Sequence, residues 1–201
     1  MLLTEYRQFK VDKLLIEQSI KENKPLIVSG IIQRAEAKNQ NGRVYPKEIL
    51  MKEIQNYVDG PVKERRALGE LDHPESSVIN LQNVSHNIKE IKVDGNDVYG
   101  TFEILSTPAG NILKELFRNG ITVGVSSRGM GSVKELSEGT LEVEDDFELL
   151  CWDFVSTPST HGAYVSPVGL NEGKLPTYKY TKVNSIIRDI ICDNTGICSI
   201  C

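Results

Sequence analysis

Short runs of alternating β-branched residues, each bounded by glycine, proline or asparagine, recur along this chain of 201 residues. The clearest is the run from Ile121 to Gly131, in which Ile121, Val123 and Val125 alternate before two serines, an arginine and two further glycines. Alternation with a period of two is typical of a strand that is buried on one face. The run therefore predicts a strand that ends on a serine hydroxyl.

Several such strands, with helices between them, define the predicted fold class. The predicted strands include Leu26 to Ala35, a hairpin whose arms are Val78 to Val93 and Asp97 to Leu105, and the very apolar Phe147 to Val155. The predicted helices are Val11 to Glu22, a second that begins at Pro46 and ends at Gly60, and Pro108 to Asn119 with Ile112 facing inward. Together they predict a β-rich α+β protein, a single barrel-like domain of antiparallel or mixed sheet with two or three peripheral helices.

The composition changes after Ser166 and Pro167, where the chain becomes rich in Asn, Gly, Lys and Pro. Such residues favour loops and linkers over packed elements. We therefore expect one domain over residues 1–169, followed by a linker and tail over residues 170–201.

Charge and hydropathy exclude several functions. The net charge is −5 and the basic residues are scattered, so no nucleic-acid partner is expected. No segment approaches 18 consecutive apolar residues, and the N-terminus lacks the apolar run of a signal peptide, so no membrane association is expected.

The four cysteines are Cys151 in the body of the chain and Cys192, Cys198 and Cys201 near its end. This distribution does not suit a disulfide framework and favours a reducing, intracellular setting. The last three could bind zinc only with a fourth ligand, which the neighbouring sequence lacks, so free thiols are the simpler interpretation. We expect neither a metal nor a cofactor.

A serine becomes a useful nucleophile only when a base takes its proton, so the candidate partners of Ser126 and Ser127 are histidines and carboxylates. Asp153 lies in the middle of an apolar strand. Spacing alone favours a solvated face for it, whereas the alternative is that it faces a polar site and holds a histidine. The candidate bases are His73, in a turn at a strand end, His161, in a loop, and His86, which suits a hydrogen-bonded position within the sheet.

Five motifs occur in an order that resembles the prohead core proteases of large tailed phages, enzymes that trim scaffold and capsid proteins as the head matures. They are RVYP at 43–46, GELDHP at 69–74, DVYG at 97–100, GVSSRGMGS at 124–132, and WDFVSTPS at 152–159 with GAYV at 162–165. The resemblance covers roughly Leu26 to Val168. That family is similar in fold to the herpesvirus assemblins, serine proteases built on a β-barrel surrounded by helices.

The resemblance implies His73 as general base, Ser126 as nucleophile and Asp153 as the third catalytic residue. In the assemblins the third residue is a histidine, so His161 remains a lesser candidate for that role. Ser127 is the alternative nucleophile. The amide of Ser127, the cation of Arg128 and the glycine-rich turn at Gly129 are candidates for binding the oxyanion.

The resemblance also implies cleavage after a glutamate that has Leu or Ile two residues before it. The triplet ending at Glu172, followed by Gly173, lies in the predicted linker and is the best candidate for self-cleavage. The expected substrates are phage scaffold or core proteins and the major capsid protein. The expected setting is a homo-oligomer inside the assembling prohead, in the host cytoplasm. The alternative is an inactive scaffold or assembly module with the same fold.

Overall fold

The structure is a computed structural model that describes residue 17 and residues 25–74, 76–136 and 139–168. The predicted first helix, apart from Glu17, lies outside the described residues. So does the predicted tail, and the division at residue 169 therefore stays a prediction.

Ten strands and two α-helices make up this described part of the chain. The strands are β1 Leu26–Arg34, β2 Arg43–Val44, β3 Leu68–Glu70, β4 Val84–Asp94, β5 Asp97–Ile104, β6 Val123–Met130, β7 Val133–Glu135, β8 Leu141–Val143, β9 Glu148–Val155 and β10 Tyr164–Pro167. The helices are α1 Lys47–Tyr57, continued by a π-helical segment over Val58–Val62, and α2 Pro108–Arg118. The predicted β-rich α+β class is confirmed.

Seven strands form one large sheet in the order β3-β4-β5-β1-β10-β6-β9, and every neighbouring pair is antiparallel. Its two edges, β3 and β9, approach each other through a parallel bridge between Leu71 and Phe154. The sheet is therefore a nearly closed barrel. A small second sheet has the order β2-β8-β7, with β2 parallel to β8.

Gly69 permits the approach of the two barrel edges. A Cβ at this position would collide with the carbonyl oxygen of Trp152 on β9 and with Nε2 of His86 on β4. A strand glycine is typical where another backbone passes very close. Position 69 must therefore be a glycine for β3 to pack against β9.

Both helices pack an apolar face against the barrel. Helix α1 begins directly after Pro46, which occupies the N-cap position, and buries Leu50, Ile54 and Tyr57. Helix α2 has an N-cap in Thr107, whose hydroxyl accepts a hydrogen bond from the amide of Gly110 at 3.1 Å.

Three local predictions were wrong. The first arm of the hairpin begins at Val84, because the preceding segment is an exposed loop in which Val78 is 73% accessible. Helix α1 does not end at Gly60 but continues as a π-helical segment to Val62. Ile112 faces outward, at 53% accessibility.

Candidate active site

The pairing of β6 with β9 fixes which serine shares a surface with the buried aspartate. Ser126 lies directly opposite Asp153, whereas Ser127 lies opposite Trp152. Directly paired residues of antiparallel strands point to the same face, and successive residues point to opposite faces. Ser126 and Asp153 therefore share one face of the sheet, and the side chain of Ser127 is directed to the opposite face, that of the core tryptophan. Residue 127 nevertheless also lines the cleft that contains Ser126 and His73.

The closure of the barrel brings His73 to the same face. Asp72 has a φ of 69°, which turns the chain directly after the Leu71 bridge, and its amide donates to the carbonyl oxygen of Phe154 at 2.8 Å. Aspartate is among the few side chains that tolerate this left-handed conformation. The imidazole of His73 then lies with Nδ1 at 2.8 Å from Oδ2 of Asp153, although the two residues are 80 positions apart.

Asp153 is completely buried, so its predicted solvated position is wrong. Its Oδ1 accepts hydrogen bonds from the amide of Glu70 at 2.9 Å and from Nη2 of Arg128 at 3.2 Å. Nε of Arg128 lies 3.0 Å from its Oδ2. Burial alone would raise the pKa of this carboxyl, but the hydrogen bonds from His73 and Glu70 and the charge of Arg128 outweigh it and lower the pKa.

An ionised Asp153 determines the tautomer of His73. A carboxylate only accepts hydrogen bonds, so Nδ1 of His73 must be the donor in the contact between them. In the neutral imidazole Nε2 then carries the lone pair that can accept a proton. The His73 side chain is 37% accessible, so it remains open to a ligand.

Arg128 links the two buried carboxylates. Its Nη2 lies 2.9 Å from Oε1 of Glu70, and its Nη1 donates to the carbonyl oxygen of Ser76 at 2.6 Å. Burial opposes the charge on Arg128, but the hydrogen bond to Glu70 and the negative groups nearby prevail, and its pKa is raised. The guanidinium is thus occupied by protein groups, and only 10% of the side chain is accessible.

Cys151 completes this buried cluster. Its Sγ accepts from Nε of Arg128 at 3.3 Å and lies 3.5 Å from Oδ1 of Asp153. Burial, followed by the charge of Asp153, raises the pKa of the thiol to about 12. The thiol is therefore protonated near neutral pH and acts as a buried neighbour of the carboxylate.

The hydroxyl of Ser126 forms a hydrogen bond with the hydroxyl of Ser159, at 3.0 Å between the two oxygens. Among the described residues no hydrogen bond joins Ser126 to His73. Both side chains nevertheless line the same open cleft, which has a volume of about 390 Å³. The structure thus joins His73 to Asp153 directly and places Ser126 in the cleft with them.

The other two histidines lie elsewhere. His86 is fully buried, with Nε2 at 2.9 Å from the carbonyl oxygen of Trp152 and Nδ1 at 2.9 Å from Oγ of Ser85, as its sheet position predicts. Burial lowers the pKa of His86 to about 4, so it is neutral. His161 is exposed, lines a separate small pocket, and makes no contact with Asp153 within the described ranges.

Three contributors to this cluster were not identified from the sequence, namely Glu70, Cys151 and Ser159. Two of them carried a signal. Cys151 lies two residues before Asp153 and therefore on the same strand face. Glu70 is a carboxylate in a short strand that leads directly to His73. Ser159 follows β9 in a loop, where no periodicity indicates direction.

The candidate self-cleavage residues Glu172 and Gly173, and the three C-terminal cysteines, lie outside the described residues. Within the part of the chain that is described, no helix combines the length and apolar character needed to cross a bilayer.

A carboxylate-bound imidazole, beside a serine in an open cleft, has the chemistry used by hydrolases that form a covalent intermediate. Residues 12–174 match the family described as prohead core protein serine protease. Because the match spans most of the chain, the chain belongs to this family and is a peptidase.

Two comparisons with individual proteins agree with this assignment. The chain is 36% identical over 152 residues to the prohead core protein protease of Enterobacteria phage T4, an alignment that covers 74% of this chain and 72% of that protein. The structure is similar to that of the bacteriophage T4 capsid assembly protease, with a TM-score of 0.65 and 35% identity over 67% of this chain and 84% of the other. The predicted family and its barrel-like fold are confirmed.

Proposed function

We propose that this prohead protease is a serine endopeptidase in which Ser126 is the nucleophile, His73 the general base and Asp153 the residue that orients the imidazole. The observation that carries this proposal is the 2.8 Å contact between Nδ1 of His73 and Oδ2 of Asp153, the residue of β9 that pairs directly with Ser126 of β6. His73 and Ser126 both line an open cleft, so a substrate that enters the cleft can reach both side chains.

In this mechanism Ser126 attacks the scissile carbonyl while Nε2 of His73 takes its proton. The imidazolium then donates that proton to the leaving amine, and water completes the second half of the reaction. The hydroxyl of Ser126 must first turn from Ser159 toward His73. Hydrogen bonds of this kind are often unformed without substrate and tighten in the reactive complex.

The buried cluster favours the imidazolium that forms during catalysis. Glu70 and Asp153 as carboxylates carry two negative charges, and Arg128 compensates one of them. The remaining negative charge lies against His73, where a positive charge develops. Electrostatic stabilisation of a charge that appears in the transition state is among the largest contributions to catalysis.

We propose that backbone N–H groups at Ser127, Arg128 and Gly129 donate hydrogen bonds to the oxyanion of the tetrahedral intermediate. The guanidinium of Arg128 is already bound to Glu70, Asp153 and the carbonyl of Ser76, so it is poorly placed to serve as the donor. The register of β6 against β9 shifts between Arg128 and Gly129, and the residue left outside the pairing is Leu150 on β9.

The names of the T4 relatives, a prohead core protein protease and a capsid assembly protease, support the proposed setting. We propose that the substrates are phage scaffold or core proteins and the major capsid protein, cleaved after glutamate. The reaction would take place in a homo-oligomeric assembly inside the prohead, in the host cytoplasm.

The alternative is an assembly module with the same fold but no activity. One observation favours it, because the hydroxyl of Ser126 is bound to Ser159 and not to His73. A fluorophosphonate probe distinguishes the two, since it reacts with a serine only when a base activates that serine.

The test is probe labelling of wild type, Ser126→Ala and Ser127→Ala, followed by peptide mapping. The proposal predicts labelling at Ser126 in wild type and in Ser127→Ala, and none in Ser126→Ala. Cleavage of a co-expressed scaffold protein should follow the same pattern. An unlabelled, well-folded wild type would favour the inactive module. Labelling at Ser127 would identify Ser127, and not Ser126, as the nucleophile.

A further inference from the structure

The residues that line the cleft include basic side chains but no acidic ones. None of the residues that line it is an aspartate or a glutamate, while Arg43 and Arg128 both line it together with His73. A cleft lined by one sign of charge raises the local concentration of ligands that carry the opposite sign. The cleft is therefore suited to an anionic group on the substrate.

The charge of Arg128 is already compensated. Glu70 and Asp153 both contact its guanidinium, at 2.9 Å and 3.0 Å, and both carboxylates are fully buried. A substrate carboxylate would have to displace one of them, which would leave a buried charge without its partner, at high cost. Arg43 is thus the permanent cation of the cleft that is open to a ligand.

Arg43 is exposed, and its guanidinium forms no hydrogen bond or ion pair with any residue that the structure describes. Its backbone, by contrast, is held firmly. The amide of Arg43 donates to Oδ1 of Asn39 at 3.0 Å, and its carbonyl oxygen accepts from the amide of Asn39 at 2.9 Å. Because the backbone is fixed, only the side chain of Arg43 loses conformational freedom when its free guanidinium binds a ligand.

The loop that carries Arg43 is also tied to the wall beside the nucleophile. The amide of Gln40 donates to the carbonyl oxygen of Ser159 at 2.9 Å, and its side-chain amide donates to the carbonyl oxygen of Pro158 at 3.0 Å. Ser159 is the residue whose hydroxyl contacts Ser126. The position of Arg43 relative to the reacting serine is therefore fixed by a short chain of hydrogen bonds.

We propose that Arg43 is the specificity-determining residue of this peptidase and binds the side-chain carboxylate of the glutamate after which the substrate is cut. This inference rests on the proposed serine mechanism. A guanidinium can bind a carboxylate through two parallel hydrogen bonds, a geometry that neither the ammonium of lysine nor a neutral amide reproduces. Selection for glutamate then follows from one salt bridge at the edge of the cleft.

The test compares peptides that differ only at the residue before the cut, with Glu, Gln or Lys there. These are assayed with wild type, Arg43→Gln, Arg43→Lys and Arg43→Glu, and with Arg118→Gln as the control. Arg118 is an exposed arginine at the end of α2 that pairs with Glu115 and does not line the cleft. All rates are divided by the fraction of protein that a fluorophosphonate labels at Ser126.

We expect wild type and Arg118→Gln to prefer Glu over Gln by the same large factor. Loss of a charge-assisted pair lowers affinity roughly 10- to 100-fold, so Arg43→Gln should reduce the Glu to Gln ratio of kcat/KM by about that factor. The Glu to Gln ratio of Arg43→Lys should lie between those of wild type and Arg43→Gln. Arg43→Glu should cleave the Lys peptide faster than the Glu peptide.

An unchanged Glu to Gln ratio in labelled Arg43→Gln and Arg43→Glu would overturn the role of Arg43 and leave the serine mechanism intact. A wild type that neither labels nor cleaves would overturn the serine mechanism, and the role of Arg43 with it. The labelling step therefore separates the two failures.

Discussion

Leu71 pairs with Phe154 in the parallel bridge where the two edges of the barrel meet. His73 follows Leu71 by two residues, and Asp153 immediately precedes Phe154. The contact that closes the barrel is therefore the contact that brings the imidazole to its carboxylate. Fold and site cannot be perturbed independently at this point, which makes matched controls necessary.

Asp153→Asn tests the orienting role. An asparagine keeps the shape but no longer requires a proton on Nδ1 of His73, so the tautomer with Nε2 protonated becomes available and cannot accept the proton of Ser126. We expect kcat/KM for a glutamate peptide to fall by about 10⁴-fold.

Asp72→Asn is the control for that measurement. Asparagine also tolerates the left-handed conformation at residue 72, and within the described part of the chain the Asp72 side chain forms one hydrogen bond, accepted from the backbone amide of His73 at 3.0 Å. Its kcat/KM should stay within about threefold of wild type. Equal losses in the two variants would contradict a specific role for Asp153.

Stability should depend on pH through the same carboxyl. Because the pKa of Asp153 is lowered in the folded protein from its ordinary value of 3.8, its ionised form stabilises the fold above that value. This contribution is lost as the pH falls from 3.8 through the lowered pKa. Urea unfolding of wild type and Asp153→Asn from pH 7 down to pH 3 should show a difference between the two free energies of unfolding that narrows once the pH falls below 3.8. Parallel curves would show that the carboxyl does not carry this dependence.

Arg128→Gln should destabilise the protein strongly. It removes the cation between two buried carboxylates, and breaking a buried ion pair costs about 3–5 kcal/mol. Adding Glu70→Gln should restore part of the loss, because one of the uncompensated charges is then gone. Arg118→Gln, which breaks an exposed pair with Glu115, should cost less than about 1 kcal/mol. Equal effects from Arg128→Gln and Arg118→Gln, measured by urea unfolding, would contradict this account.

Self-cleavage is predicted between Glu172 and Gly173. The triplet Leu170-Asn171-Glu172 has the expected pattern, and a linker can enter a cleft in an extended form more readily than a folded strand. Intact-mass analysis of wild type should reveal a product that ends at Glu172, absent from Ser126→Ala and from Glu172→Gln. Full-length protein alone, in a preparation that cleaves peptides, would rule this site out.

The sequence predicted those features that depend on local periodicity and turn chemistry. The hairpin around Gly95 forms as predicted, because a glycine with positive φ links Asp94 and Asp97 in register. The strand that leads to Ser126 forms as β6, but it begins at Val123, is buried on both faces from Val123 to Ser126, and continues past the serine to Met130. Ile121, predicted to belong to it, is exposed. The motifs, rather than the periodicity, pointed to His73 and Asp153 as partners.

The sequence could not predict features that depend on contacts across the closure. Asp153 seemed suited to a solvated face because its own strand does not reveal that Arg128 and the chain around Leu71 cover that face. Val78 is β-branched but lies in an exposed loop, because no neighbouring strand is available to pair with it before Val84. Ile112 lies one helical position away from Leu113, which takes the buried position on α2.

The Leu71–Phe154 bridge also has a consequence for when the peptidase can first act. Translation proceeds from the N-terminus, so His73 is synthesised well before Asp153 and Phe154. Until those residues leave the ribosome, His73 has no carboxylate partner. The β4–β5 hairpin closes a short loop, whereas the contact between His73 and Asp153 must close a loop of 80 positions. A chain interrupted before Asp153 therefore lacks a carboxylate that the proposed mechanism requires.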